Sequence, residues 1–442
     1  MFDILKDRTY RHLFLAQVVA LMGTGLATVA LGLLAYDLSG ANAALVVGTV
    51  FAIKMVAYVT VAPVAAALAE RLPRRRVLVA LDLVRAAVAL CLPFVNEVWQ
   101  IYALIVVLQA ASAAFTPIFQ ATIPDVLPEE DRYTRALSLS RLAYDLEALL
   151  SPALAALALL VLSFNALFLG TTAGFAASAL LLVSVLLPAP KPATPRGFYD
   201  RTTRGMRIYL ATPRLRGLLA FSLAVSSAGA MVLVNTVVIV KDDLGLGDSA
   251  VAVAMGAFGA GSMLVALALP RILDRIADRP VMSFGACAML AGLCGLAVWS
   301  SVFGVSQTAL LAAWALVGAG YSAVLTPSGR LLRRSSQPED RPAVFAAQFA
   351  LSHLCWLVTY PLAGALMTLG GGIVALAVLA VMTALALAAA LRAWPSDDPL
   401  EVEHDHTDLP PEHPHIRDGH RHVHAFTIDD LHRSWPTGGA HS

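Results

Sequence analysis

Leu13-Phe-Leu-Ala-Gln-Val-Val-Ala-Leu-Met-Gly-Thr-Gly-Leu-Ala-Thr-Val-Ala-Leu-Gly-Leu-Leu-Ala35 contains no charged residue. At roughly 1.5 Å per residue, a helix of that length crosses the ~30 Å hydrocarbon core of a bilayer. The run is too long for the core of a signal peptide, and no small-residue cleavage site stands out before the next apolar run. It therefore reads as a retained first helix. Comparable runs recur along the 442 residues as far as Trp394. The composition agrees: 58% hydrophobic and 14% charged residues leave too little polar surface to coat a soluble core of this size. An all-α membrane protein is expected.

Apolar runs between turn or charge clusters lie at about 12–36, 43–69, 76–95, 98–122, 134–162 and 164–187. Six more lie at about 214–240, 249–270, 280–300, 305–328, 342–369 and 371–393. This divides the chain into a first six-helix bundle (1–187), a linker (188–213), a second bundle (214–394) and a polar tail (395–442). The linker, rich in proline and arginine, shows no apolar face. The tail holds proline, many charges and little apolar matter, so it is expected to be disordered without a ligand.

Charge placement orients the chain. Lys6, Arg8 and Arg11, then Arg71, Arg74, Arg75 and Arg76, then Arg132 and Arg135 fall on one side of the expected membrane. The linker arginines, Arg271, Arg275, Arg279, Arg330, Arg333, Arg334 and Arg341 continue that side, whereas Lys241 is the basic residue found on the other. Positive-inside asymmetry then puts both termini in the cytoplasm, in a bacterial inner membrane. Cys91, Cys287, Cys294 and Cys355 all lie inside apolar runs, so no disulfide framework is implied. No Gly-x-x-x-x-Gly-Lys-Ser/Thr loop occurs, so ATP is not the expected energy source.

The halves repeat. Glu130-Asp131-Arg132 recurs as Glu339-Asp340-Arg341, and each triplet follows a helix ending near a Thr-Pro pair, Thr116-Pro117 or Thr326-Pro327. Each also precedes a helix with a late proline, Pro152 or Pro361. Two parallel six-helix repeats imply two bundles about an axis along the membrane normal, with a path between them.

On these features the chain resembles the major facilitator superfamily over residues 1–395, which implies the major facilitator fold and transport by alternating access. The family's signature between its second and third helices is a glycine, then Asp-Arg, then Gly-Arg-Arg/Lys. Here Ala66 to Arg75 gives a degenerate copy, with Glu70-Arg71 for Asp-Arg and with Ala66 and Pro73 in place of the glycines. Leu273-Asp274-Arg275-Ile276-Ala277-Asp278-Arg279 is a closer second copy. The resemblance assigns Glu70, Arg71, Arg74, Asp274, Arg275 and Arg279 to a cytoplasmic gate whose acid faces a helix N-terminus. A plain positive-inside loop is the alternative. Ser151-Pro152 with Ala155 and Ala156 stands where exporters of the superfamily often carry Gly-Pro and two glycines, or it simply kinks the helix.

The eleventh run reads Gln348-Phe-Ala-Leu-Ser-His353-Leu-Cys355-Trp356-Leu-Val-Thr-Tyr360-Pro361-Leu-Ala-Gly364, and a histidine-bearing tail follows. Together they resemble the nickel-resistance exporters of the NreB type, which implies export of Ni²⁺. In the tail, His404 and His406, His413 and His415, and His420, His422 and His424 form His-x-His pairs or triplets, with His432 and His441 beyond them. Imidazole is a preferred ligand for late first-row divalent ions, and this spacing lets two rings chelate one ion. A solubilising tail is the plainer reading.

Ionisable residues inside apolar runs are costly and default to functional candidates. Lys54, Asp145, Glu147 and His353 qualify, and Cys355 adds a sulfur. His353 and Glu147 both lie about 18 Å from the ends of their runs, near the midplane. His353 and Cys355 offer borderline ligands for a late first-row metal, and Glu147 or Asp145 offers charge and a proton site. Residues two apart diverge by about 200° around a helix, so His353 and Cys355 cannot share one cavity, nor can Asp145 and Glu147. A hydrogen bond to a neighbouring helix is the rival role for His353. Lys54 reads as the counter-ion of a helix carboxylate. Asp82 and Arg85 read as a structural pair, as do Arg141 and Asp145.

The expectation is a secondary transporter, not an enzyme, that exports a divalent cation by proton antiport. An organic cargo such as a drug or siderophore is the alternative. The expected partners are the metal ion, protons and the lipid bilayer. No cofactor and no nucleic acid are expected, and the protein should act as a monomer.

Overall fold

The computed structural model describes residues 2–435, except 70–72, 130–131, 133–135, 137–138, 141–142, 145–146, 148–150, 152–153, 156, 189–197, 338–339, 399–400, 406–420, 430 and 433–434. Glu70, Arg71, Asp145, His406, His413, His415 and His420 therefore lie outside the described residues.

The helices in chain order are α1 (Arg8–Ser39), α2 (Ala43–Ala69), α3 (Arg74–Cys91) and α4 (Val98–Val126). Next come α5, the helical residues described between 132 and 159, and α6 (Phe164–Val183). The second half holds α7 (Phe198–Ala211), α8 (Pro213–Val238), α9 (Asp248–Leu273), α10 (Asp278–Phe303), α11 (Gln307–Arg334) and α12 (Arg341–Ala393). Helices dominate because no water is present in a bilayer core to satisfy the backbone, and a helix satisfies its own.

Among the described residues nine stretches are long and apolar enough to cross a membrane. Two of these, Arg8–Val61 with 54 residues and Ala343–Ala393 with 51, are each long enough for two crossings. The first breaks at Gly40, with φ +54°, and the second at Gly371, with φ +77°. Both are backbone conformations that favour glycine. With α5, the crossings number about twelve. The eleventh and twelfth crossings are thus two arms of α12.

The halves use one packing scheme. In the first, α1 lies on α6, α2 on α4, and α3 on both α4 and α6. In the second, α8 and α10 lie on α12, and α9 and α10 lie on α11. The bundles meet where α2 packs along the first arm of α12, and where α1 and α2 touch α8. Small residues allow this approach: a Cβ on Gly48 would fall 2.6 Å from the Tyr360 carbonyl, and one on Gly364 would strike the Ala44 carbonyl. These contacts lie towards the end opposite the termini.

Two expectations change. The linker does have an apolar face: within α7, Ile208 and Tyr209 are buried. Gly205 sits against the Ala343 backbone, and Arg204 bonds Asp340 at 2.5 and 3.1 Å. The tail, in its described parts, is not without structure. Strand β1 (Glu401–Asp405) pairs antiparallel with β2 (Arg421–Ala425), setting His404 opposite His422 and Val402 opposite His424. Phe426 and Ile428 then enter the hydrophobic core. The apolar residues that achieve this are few, so composition alone points the other way.

Candidate functional site

Lys54 of α2 lies within electrostatic range of Glu147 of α5 and of His353 of α12. The contacts that join the two bundles at this level are between rings, Tyr58 of α2 against Phe349 and His353 of α12.

His353 is held on three sides. Its Nδ1 lies 2.7 Å from the Phe349 carbonyl one turn earlier, which leaves Nε2 as the nitrogen available to a ligand. Its ring lies 3.9 Å from that of Phe349 and is stacked on Tyr58 of α2 at 5.5 Å. Tyr58 follows Lys54 by one turn, and both therefore face α12. Further along the same seam Phe51 meets Tyr360 at 4.7 Å, and Tyr360 stacks on Trp356.

Cys355, two residues on from His353, points another way around α12; on α7, the Tyr209 hydroxyl donates to Gln348. Glu147 lies against α1. A Cβ on Gly25 would fall 2.8 Å from its Oε1 and would strike the Ser151 hydroxyl as well. Asp82 and Arg85 pair inside the first bundle, with Ser178 donating to Asp82 at 2.7 Å and Phe115 under the guanidinium at 4.1 Å.

The gate motif divides differently from expectation. Arg74, buried at the start of α3, pairs with Asp125 at the end of α4. Asp274 and Arg275 lie exposed on the turn after α9. The acid at the start of a helix is Asp278, buried and bonded by Arg330 of α11 at 2.6 and 3.0 Å. Arg334 adds a contact at 4.0 Å. Arg279 donates to the carbonyls of Trp394 at 2.7 Å and Leu391 at 3.2 Å. Asp125 escaped the sequence reading, and Asp278 and Arg330, though named there, were not assigned to the gate, although the acid four residues past Asp274, opening the next run, was a usable signal.

At the end opposite the termini, Tyr36 of α1 donates to Asp242, just past α8. Lys241 lies 5.0 Å from the Tyr36 ring and pairs with Asp248. Beside this end, Asp243, Ile239, Leu296, Ser300, Gly371 and Leu376 contribute to a cavity of about 240 Å³.

Among the described residues no cluster of three or more His, Cys, Asp and Glu could hold a metal ion. His432 is buried in the tail with its Nδ1 2.8 Å from Asp429, so the structure gives it a packing role.

Residues 13–203 and 219–425 match the family model described as Major Facilitator Superfamily. The chain belongs to the Major Facilitator Superfamily. This transporter is 25% identical over 376 residues to the uncharacterized MFS-type transporter YvqJ of Bacillus subtilis (strain 168), covering 80% of this chain and 84% of that one. It is 24% identical over 302 residues to YfiS of the same organism, also an uncharacterized MFS-type transporter, covering 65% and 70%. Its fold superposes on the nucleoside transporter NupG (D323A mutant) with TM-score 0.68 at 14% identity, over 88% of this chain and 100% of that one. A bacterial homolog of the human lysosomal transporter Spinster, inward-facing and occupied, gives TM-score 0.66 at 12% identity over 87% and 96%. These structural likenesses establish the fold. The chain is a multi-pass membrane carrier.

Proposed function

We propose that this transporter exports a divalent metal cation, Ni²⁺ foremost and Co²⁺ next, in exchange for protons. The observation that supports the reading is that Lys54 lies within electrostatic range of both Glu147 and His353 where α2 packs on α12. A charged side chain at the bilayer centre costs about 2.5–3.5 kcal/mol on insertion scales, so three ionisable groups placed there need a function. When both are ionised, Glu147 and Lys54 offset one another's charge. A divalent cation arriving in this low-dielectric region brings charge that must be offset, so its entry is tied to proton release. His353 supplies the borderline nitrogen ligand through Nε2. The tail histidines, with His404 facing His422 across the strand pair, support a cation as cargo.

The basic clusters gather at the end that carries the termini, which supports a bacterial plasma membrane with both termini in the cytoplasm. On that face the motif around Glu70, Arg71, Arg74, Asp274, Arg275 and Arg279 is the proposed gate, with Asp278 added as its buried acid. A second reading, an organic cargo, is favoured by the rings of Phe51, Tyr58, Phe349, Trp356 and Tyr360 along the α2–α12 seam.

The test is efflux from proteoliposomes. His353→Ala should abolish Ni²⁺ efflux, and His353→Gln, which keeps hydrogen bonding but is a poor nickel ligand, should do the same. Glu147→Gln should remove the pH dependence. Normal Ni²⁺ efflux by His353→Gln makes the histidine structural, and drug efflux in its place selects the second reading.

A further inference from the structure

Beyond the strand pair, the tail returns to the membrane domain and grips one helix. Arg214, the second residue of α8 and 2% exposed, donates to the Phe426 carbonyl at 3.2 Å and lies 5.0 Å from the ring centre of Trp435. Its guanidinium also pairs with Asp398 at 3.5 Å. Asp398 in turn takes Arg334 of α11 and the Trp394 indole N–H, the latter at 3.0 Å. Thr427 accepts from Gln337 at 2.9 Å. Phe426 and Ile428 are nearly fully buried, and Phe426 meets the edges of His432 at 4.7 Å and Trp435 at 5.1 Å. The turn that folds this segment back is closed on Asp429, whose Oδ1 accepts the backbone N–H of Leu431 at 2.9 Å and of His432 at 2.7 Å.

Ring packing, a cation over an aromatic face and side-chain bonds from α8 and from the turn after α11 together distinguish a docked segment from a passing tail. Its target matters most. The far end of the α8 rod runs through Ile239–Asp243, a continuous π-helical turn, into the Tyr36–Asp242 contact with the other bundle. One rigid rod is therefore held at both ends, by the partner bundle at one and by the tail at the other. A bundle that rocks must swing both ends of such a rod together.

We propose that Phe426–Asp429 with Leu431, His432 and Trp435 form a built-in clasp that pins the terminal end of α8 within the second bundle and so stiffens that bundle along α8 as one rocking body. The inference rests on the chain being a rocking transporter and is independent of the cargo.

Hydrogen exchange on the full-length protein in liposomes tests it through two segments, 208–218 under the clasp and 239–248 at the far end. Phe426→Ala and Trp435→Ala are expected to speed exchange about tenfold in both segments. A chain ended after Ala425, which keeps both strands and lacks the clasp, is expected to do the same. Faster exchange at 208–218 alone would reduce the contact to local packing and overturn the proposal. So would unchanged exchange in the shortened chain, whatever the single variants do.

Discussion

Tyr36 and Asp242, 206 positions apart, occupy the outer ends of α1 and of the α8 rod, the first crossings of their respective halves, and are hydrogen-bonded to each other. The contact closes the bundles at the end away from the termini. Tyr36→Phe keeps the ring over which Lys241 lies and removes only the donor. A net hydrogen bond contributes about 1 kcal/mol, so the population opened at that end should rise about fivefold. Accessibility of a thiol introduced at Ala41 measures it, and unchanged labelling would show that the bond does not hold the closed state.

The two halves solve one problem with opposite charges. Arg74 at the start of α3 pairs with Asp125, 51 residues on, whereas Asp278 at the start of α10 pairs with Arg330, 52 residues on. Asp125→Asn removes the carboxylate with which the buried guanidinium pairs and should cost about 3 kcal/mol of stability. The double swap Arg74→Asp with Asp125→Arg should recover much of that loss, because the second half already uses that polarity. Asp274→Asn, on an exposed turn, should change stability by less than about 0.5 kcal/mol. Thermal unfolding in detergent compares all three.

Lys54→Met keeps the length of the side chain and removes the charge that Glu147 faces. Carboxylate ionisation at that depth then has no counter-ion, so proton exchange should fall at least tenfold. Adding Glu147→Gln should restore normal expression but not transport. A pH-sensitive dye inside vesicles reads the proton flux, and a Lys54→Met protein that still moves protons at the parental rate would remove the pair from the mechanism.

The clasp should also respond to acid. Burial alone would push the Asp429 carboxyl up, but the backbone and ring of His432 and the Leu431 N–H outweigh it and hold the group below its ordinary 3.8. A carboxyl lowered on docking stabilises the docked form fully above that ordinary value, and the gain is lost as pH falls through the lowered one. Docking should therefore weaken below about pH 4. Trp435 emission, taken as the difference from Trp435→Phe, should shift to the red in that acid range, and Asp429→Asn should abolish that step.

The spanning helices were legible because a bilayer demands long apolar runs, and the observed ends of α2 coincide with those expected. Lys54, Glu147 and His353 were legible for the same reason, since charge stands out against Leu, Ala and Val. Their proximity was not, because it depends on how α2, α5 and α12 are arranged in space. Tyr58 and Phe349 carry no mark of their role as the rings beside His353, for aromatic residues are common in such helices. Asp278 was overlooked for Asp274 because the motif's acid falls in the turn, four residues before the position that opens α10. The docked tail was hidden deepest: two apolar residues and one tryptophan suffice only because Arg214 and Gln337 wait for them.

Gly371 gives the site a mechanical connection that the twelve-segment description conceals. The arm carrying His353 passes into the final arm with no intervening loop, and the break has the φ of +77° that glycine adopts freely. Far along that final arm, Arg279 grips the carbonyls of Leu391 and Trp394. The last crossing is therefore anchored at its far end, and the arm bearing the imidazole is packed on α2 and α8. The two arms meet at Gly371 beside a cavity of about 240 Å³. Because no loop separates them, a displacement of the arm that bears His353 is passed directly to the chain's own last crossing, so the two arms are one jointed element and not independent pillars.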